Sequence, residues 1–260
     1  MNLLKLTTTV LMSLLASSAT MAEVRSKSIA YEDGGEQLTG YVYWDDAIDG
    51  KRPGILVVHE WWGLNDYARG QAQRLAKLGY VAFAVDMYGD NKVTSHPAQA
   101  KEWMSATVSN VDVWRGRAQK GLEQLSSLDM TDKSRLAAIG YCFGGATVMQ
   151  LAYSGADLDA VVSFHGSLPL PEDGEAKNIK GKVLIEHGNA DVFIPNERVQ
   201  SFRSALGDAG VDLVFHGHDG ARHGFTNPHA DSFGMDNLKY DEAADTASWR
   251  SMLETFESVF

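Results

Sequence analysis

The hydrophobic positions of this chain fall in short unbroken blocks rather than in strict alternation. Gly54 to His59, Val81 to Val85, Leu136 to Ile139, Ala160 to Phe164, Val183 to Glu186 and Val211 to Phe215 are each nearly continuous in apolar character. Runs of this length suit strands covered on both faces, as in a parallel sheet. Between them the spacing turns helical. Ala68, Ala72, Leu75 and Ala76 mark one face and stop near Gly79, and Val111, Trp114, Ala118, Leu122 and Leu125 mark another within residues 97 to 128, which read as two helices. Residues 146 to 152 have helix-forming composition, Glu197 to Leu206 reads as a helix, and Trp249, Met252, Leu253 and Phe256 line a C-terminal one. The N-terminal part differs: Ser28 to Tyr31 and Leu38 to Trp44 flank Asp33-Gly34-Gly35, the signature of an antiparallel pair. Alternating buried strands and helices predict an α/β fold, a mostly parallel central sheet with helices on both faces and antiparallel strands at its N-terminal side. No repeat or linker interrupts the series, so residues 23 to 260 are expected to form one domain.

Residues 1 to 22 follow a different pattern. Lys5 precedes an apolar stretch through Leu15, and small residues lead to Ala22. A charged start, an apolar segment too short to span a bilayer and a small-residue end predict a signal peptide, cleaved after Ala22 or, second, after Ala19. The mature chain is then expected to be exported, to the periplasm, with no membrane segment of its own. Removing residues 1 to 22 takes away only Lys5, which makes a formal charge of −11 one unit more negative. That balance argues against nucleic acid or an anionic membrane as partner. With one cysteine in 260 residues, no internal disulfide is available.

That cysteine, Cys142, sits where chemistry is expected. Leu136 to Ile139 leads into Gly140-Tyr141-Cys142-Phe143-Gly144-Gly145 and then a helix. Strand, glycine-flanked nucleophile and helix form the nucleophile elbow, with cysteine in place of serine. The turn is sharp enough that flanking side chains would crowd it, and the helix points free N–H groups at the reacting centre. In such sheets function collects at the carboxyl ends of strands. The exits are Glu60-Trp61 after the first buried strand, His187 to Asp191 after Val183 to Glu186, and a final loop holding His216, His218 and His223. Asp191 lies 49 residues after Cys142 and His223 lies 32 after Asp191. A thiol needs a base to ionise it and an acid to orient that base. The order nucleophile, acid, histidine meets that need and selects the loops, but not one histidine among the three. A metal site on the same histidines lacks a ligand frame, so neither metal nor organic cofactor is expected.

The segments Gly140 to Gly145, His59-Glu60-Trp61-Trp62-Gly63, His187 to Asp191 and Ala221 to Phe225 together resemble the dienelactone hydrolase family of α/β-hydrolases. The resemblance covers nearly the whole mature chain. It implies an α/β-hydrolase fold, a small-molecule ester or lactone substrate, Cys142 as nucleophile, His223 as base and Asp191 as its acid. It also makes Trp61 and Phe143 the backbone N–H donors of an oxyanion hole and Glu60 the carboxylate that keeps the resting thiol neutral. One departure stands out. The family's two substrate-binding arginines have no counterpart in Asp86 to Asp90 or at Asn227, and Arg222 is one backbone position from the expected base. Trp62, Tyr88 and Phe225 are candidates for an apolar pocket instead. The expected activity is therefore carboxylic ester or lactone hydrolysis, of the carboxymethylenebutenolidase type but without the carboxylate clamp. Its alternatives are a non-catalytic small-ligand-binding member of the fold and a redox-responsive thiol protein. Oligomeric state is not legible in the sequence.

Overall fold

The computed structural model describes residues 23–260, so the expected signal peptide lies outside the described residues. The chain opens with the antiparallel hairpin β1 (Val24–Asp33) and β2 (Glu36–Asp45). Gly34 and Gly35, at φ 58° and 87°, make its two-residue turn, the left-handed pair that glycine adopts without strain. There follow β3 (Arg52–Val58), α1 (Asp66–Ala76), β4 (Val81–Val85), α2 (Pro97–Val108), α3 (Val111–Ser127) and β5 (Thr131–Tyr141). The second half runs α4 (Phe143–Tyr153), β6 (Ala160–Phe164), β7 (Lys182–Gly188), α5 (Asn196–Asp208), β8 (Leu213–His218) and α6 (Glu242–Val259).

Among the described residues eight strands form one sheet in the order β1-β2-β4-β3-β5-β6-β7-β8. β2 pairs antiparallel with β4, and β3 to β8 are mutually parallel. This is the expected α/β architecture with antiparallel strands at the N-terminal edge. The unbroken apolar runs have a plain cause. On β3, Ile55 and Val57 pack toward α1 and α6, while Leu56 and Val58 pack toward α3 and α4, so neither face can be polar.

Three boundaries differ from the periodicity. β5 begins at Thr131, five residues earlier than its apolar core, because Arg52 and Pro53 pair with Thr131 and Asp132 before a register shift at Pro53/Gly54. α4 starts directly after Cys142. β8 starts at Leu213 rather than Val211 and extends to His218, because Glu186, His187 and Gly188 of β7 continue the ladder opposite His216, Gly217 and His218. His216 and His218 are therefore strand residues.

The packing is tightest where β5 turns into α4. Every residue of α4 is buried. A Cβ on Gly140 would lie 2.0 Å from the Gly144 carbonyl oxygen, and one on Gly144 would lie 2.3 Å from that of Val58. Backbone lies against backbone at both contacts, so no side chain can move aside. Gly144→Ala is expected to cost about 3 kcal/mol, read as a lower urea midpoint with an unchanged m-value.

Candidate active site

Cys142 caps α4 with φ 55° and ψ −113°, a backbone region costly for any residue with a Cβ. Two acceptors hold the N–H in that geometry: the Phe164 carbonyl at 3.0 Å and the His165 Nδ1 at 3.1 Å. The thiol is half-buried and close enough to His223 for its charge to act on that imidazole. His223 is held from behind, its Nδ1 donating to the Asp191 carboxylate over 2.7 Å. The other Asp191 oxygen accepts the Phe193 N–H at 2.9 Å, which fixes the acid after the β7 exit. Nδ1 is thus committed to Asp191, leaving Nε2 for the thiol. Burial alone would push the His223 imidazole down, but the Cys142 charge and the hydrogen bond to Asp191 outweigh it, and its pKa rises well above the ordinary value.

The three candidate histidines separate on this geometry. His216 Nδ1 and His218 Nε2 lie 3.1 and 2.6 Å from the two oxygens of the fully buried Glu186. The carboxylate engages both side chains on the β7–β8 ladder, and His223 alone reaches Asp191 and Cys142.

The loop after β3 supplies the second wall. His59 is fully buried, its Nε2 accepting the Met87 N–H at 3.2 Å. Its Nδ1 therefore carries the proton and donates to the Glu60 carbonyl. Tyr88 Oη donates to the Trp61 carbonyl over 3.1 Å. The Glu60 and Trp61 carbonyls, before and after the Trp61 N–H, are thus pinned, while the N–H groups of Trp61 and Phe143 make no hydrogen bond among the described residues. Phe143 is the first residue of α4, where an N–H has no helical acceptor.

Glu60 is 4 % exposed, and its Oε2 accepts from Asn227 Nδ2 at 2.6 Å. Burial raises its pKa, the Asn227 hydrogen bond and the His223 charge oppose the rise, and the net value is about 7. Asn227 stands where the resemblance expects an arginine. An amide there satisfies the carboxyl without forcing it to ionise, as a guanidinium would. Arg222 turns away, donating to the Asp236 carbonyl over 2.7 Å. Asp86, in the other expected arginine loop, binds the N–H groups of Thr39, Tyr88, Gly89 and Asn91 at 3.0–3.2 Å and so shapes that loop.

Two of the three pocket candidates are corrected. Trp62 is 1 % exposed, its ring stacked 4.0 Å from Phe233. Phe225 is fully buried between the rings of His165 and His218. Neither has surface left for a ligand. Tyr88 borders Cys142 closely enough that the thiolate charge adds to burial in raising its pKa, but its hydroxyl is engaged by Trp61. The apolar surface beside the site comes instead from Leu170, Val192 and Phe193, all exposed. Phe193 meets the His223 ring edge-on at 5.2 Å.

Sequence pattern gives His59 and His165 no role as acceptors of backbone N–H groups, and it marks Asn227 only as the place of a missing arginine. The strand-exit rule, applied to Ala160–Phe164, points at His165.

With this arrangement in view, the comparisons with known proteins are specific. Residues 38–260 match the model of the dienelactone hydrolase family. The chain belongs to the dienelactone hydrolase family. The structure designated m3DLH superposes with a TM-score of 0.89 at 38% identity, covering 91% of this chain and 99% of that one. A dienelactone hydrolase-like promiscuous phosphotriesterase from metagenomic libraries gives 0.89 at 38% identity, covering 92% and 100%. Protein usf of Aquifex pyrophilus is 30% identical over 207 residues, which is 76% of this chain and 86% of the relative. These relationships place this dienelactone hydrolase family member among hydrolases.

Glu60 makes stability depend on pH with a definite sign. Its pKa is raised in the folded state, so its contribution is fully present below about pH 4.5 and lost as pH rises through about 7. The loss amounts to about 3 kcal/mol. Glu60→Gln does not titrate, so it should gain on the wild type by up to that amount between pH 4.5 and 8, measured by urea unfolding across the range.

Proposed function

We propose that this protein hydrolyses carboxylic esters or lactones through Cys142, His223 and Asp191. The observation carrying the proposal is the line Asp191–His223–Cys142, with a 2.7 Å bond fixing the imidazole behind the thiol. His223 Nε2 takes the thiol proton, and the thiolate attacks the carbonyl carbon. The carbonyl oxygen, now negative, accepts from the N–H groups of Trp61 and Phe143, each worth about 3 kcal/mol in the transition state. Collapse to a thioester expels the alkoxide, which takes the proton from His223. Water then attacks the thioester, delivering its proton to His223, and the carboxylic acid leaves as the thiolate is restored. Glu60 acts as the gate: with a pKa near 7 beside His223 it can hold or release a proton next to the thiol–imidazole pair.

The substrate group favoured by the surroundings is apolar. Leu170, Phe193 and Ile194, with Ser167, Pro169, Pro195 and Arg198, line a groove of about 530 Å³, continuous through Phe193 with the His223 ring. The dienelactone-type carboxylate clamp is not supported, because Asn227 is committed to Glu60 and Arg222 to Asp236. The 38% identity to a promiscuous phosphotriesterase supports neutral phosphotriesters as a second class, with a phosphoryl oxygen taking the carbonyl oxygen's place.

Mature protein should hydrolyse p-nitrophenyl butyrate faster than the acetate, and Cys142→Ala and His223→Ala should each lower kcat at least 1,000-fold with unchanged circular dichroism. Activity surviving Cys142→Ala would remove the nucleophile assignment. Ligand binding without turnover would favour the non-catalytic alternative, and reversible thiol oxidation without turnover the redox one.

Export is a separate proposal, resting on residues 1 to 22 alone. N-terminal sequencing of protein recovered from the periplasmic fraction should begin at Glu23, and an intact Met1 would refute it.

A further inference from the structure

His165 is a buried histidine with both ring nitrogens engaged. Its exposure is zero. Nδ1 lies 3.1 Å from the Cys142 backbone nitrogen, and Nε2 lies 2.8 Å from the Thr226 hydroxyl, which is itself 2.7 Å from Tyr67 Oη. A backbone N–H can only donate, so Nδ1 must be the acceptor and Nε2 must carry the proton. That proton points at Thr226 Oγ1, three residues after His223. The tautomer follows from the partners alone.

Cys142 and His165 share a second property. Both have positive φ, 55° and 42°, a conformation that non-glycine residues keep only when their surroundings hold them. Two strained residues are bonded to each other, and the His165 N–H is in turn held by the Glu186 carbonyl at 2.8 Å. The Cys142 peptide is thereby tied to β6, to β7, to the histidine loop through Thr226 and to α1 through Tyr67.

We propose that His165 is a positioning residue for the nucleophile, a neutral Nε2-protonated imidazole whose Nδ1 sets the Cys142 backbone and with it the aim of the sulfur and of the Phe143 N–H. The role rests on Cys142 being the nucleophile. Holding the Cys142 nitrogen fixes one end of that residue, and ψ then determines where the next N–H, the oxyanion donor, points. Neutrality is essential, because an imidazolium would turn Nδ1 into a donor against another donor. It would also place a cation beside His223, whose ring centroid is 5.2 Å away. Burial and the His223 charge both push the His165 pKa well below the ordinary value, consistent with this role.

The test compares His165→Leu, which removes the side-chain acceptor and leaves the Cys142 N–H only the Phe164 carbonyl, with His165→Asn, whose Oδ1 can take the place of Nδ1. Cys142 alkylation by iodoacetamide and kcat for p-nitrophenyl butyrate are measured for both, with long-range proton–nitrogen correlation spectra of the wild-type imidazoles. The expected result is a loss of at least tenfold in alkylation rate and in kcat for His165→Leu, with KM within twofold. His165→Asn should recover most of both, and the wild-type His165 should stay Nε2-protonated from pH 5 to 9. If His165→Leu does not fold, Thr226→Val, which frees the tautomer, should lower both rates three- to tenfold. A folded His165→Leu within twofold of wild type, a His165→Asn no better than it, or an Nδ1-protonated His165 would each overturn the proposal. The alkylation contrast keeps the two readings apart. If the wild type turns over no ester, the hydrolase reading fails, whereas positioning of the thiol is still decided by the alkylation rates.

Discussion

The molecule depends on how closely the β5–α4 turn can approach the strands beside it. Gly140 meets Gly144 across the turn, and Gly144 meets the carbonyls that end β3. These contacts are main chain to main chain, and they bring the N-terminus of α4 up against the loop that carries Trp61. Side chains then do the fastening: His59 and Tyr88 hold the loop that carries Trp61, and His165 holds the elbow. Much of the site is thus built from backbone, with side chains holding it in place.

Electrostatics is arranged by the same burial. Burial keeps His59 and His165 neutral, while the Cys142 charge and the Asp191 hydrogen bond raise the proton affinity of His223. Three imidazoles within one site thus differ in proton affinity, set by what each nitrogen faces. Asn227 leaves Glu60 poised near neutrality, where a guanidinium in its place would hold it ionised. The side chain at position 227 therefore helps set the ionisation of Glu60, beside His223.

Much of this was legible in the chain. Unbroken apolar runs show the parallel strands because both faces of β3 to β7 are covered, and the glycines around Cys142 show the elbow because nothing larger fits. Asp191 and the loop that carries His223 follow from strand exits and residue order. Choosing among the histidines of the last loop required the structure, since the preference for His223 comes from Glu186, a residue of another strand that occupies His216 and His218. Trp62 and Phe225 read as pocket residues because aromatic composition is the same for a wall and for a core. Their burial depends on Phe233, His165 and His218, which are distant in sequence. His165 was hidden for a different reason: its partner is a backbone N–H, which leaves no mark in side-chain pattern.

α4 has a consequence of its own. A helix buried on every side has no solvent-facing edge from which to fray, and its amides belong with the slowest to exchange. The sulfur of the proposed nucleophile thus sits at the start of a fully buried helix, while Asp191, His223 and the apolar rim sit on loops around it. Local opening of those loops would interrupt the reaction reversibly without disturbing the elbow. Permanent inactivation by heat would instead accompany the collapse of the whole domain, making lasting loss of turnover a gauge of global unfolding rather than of local wear.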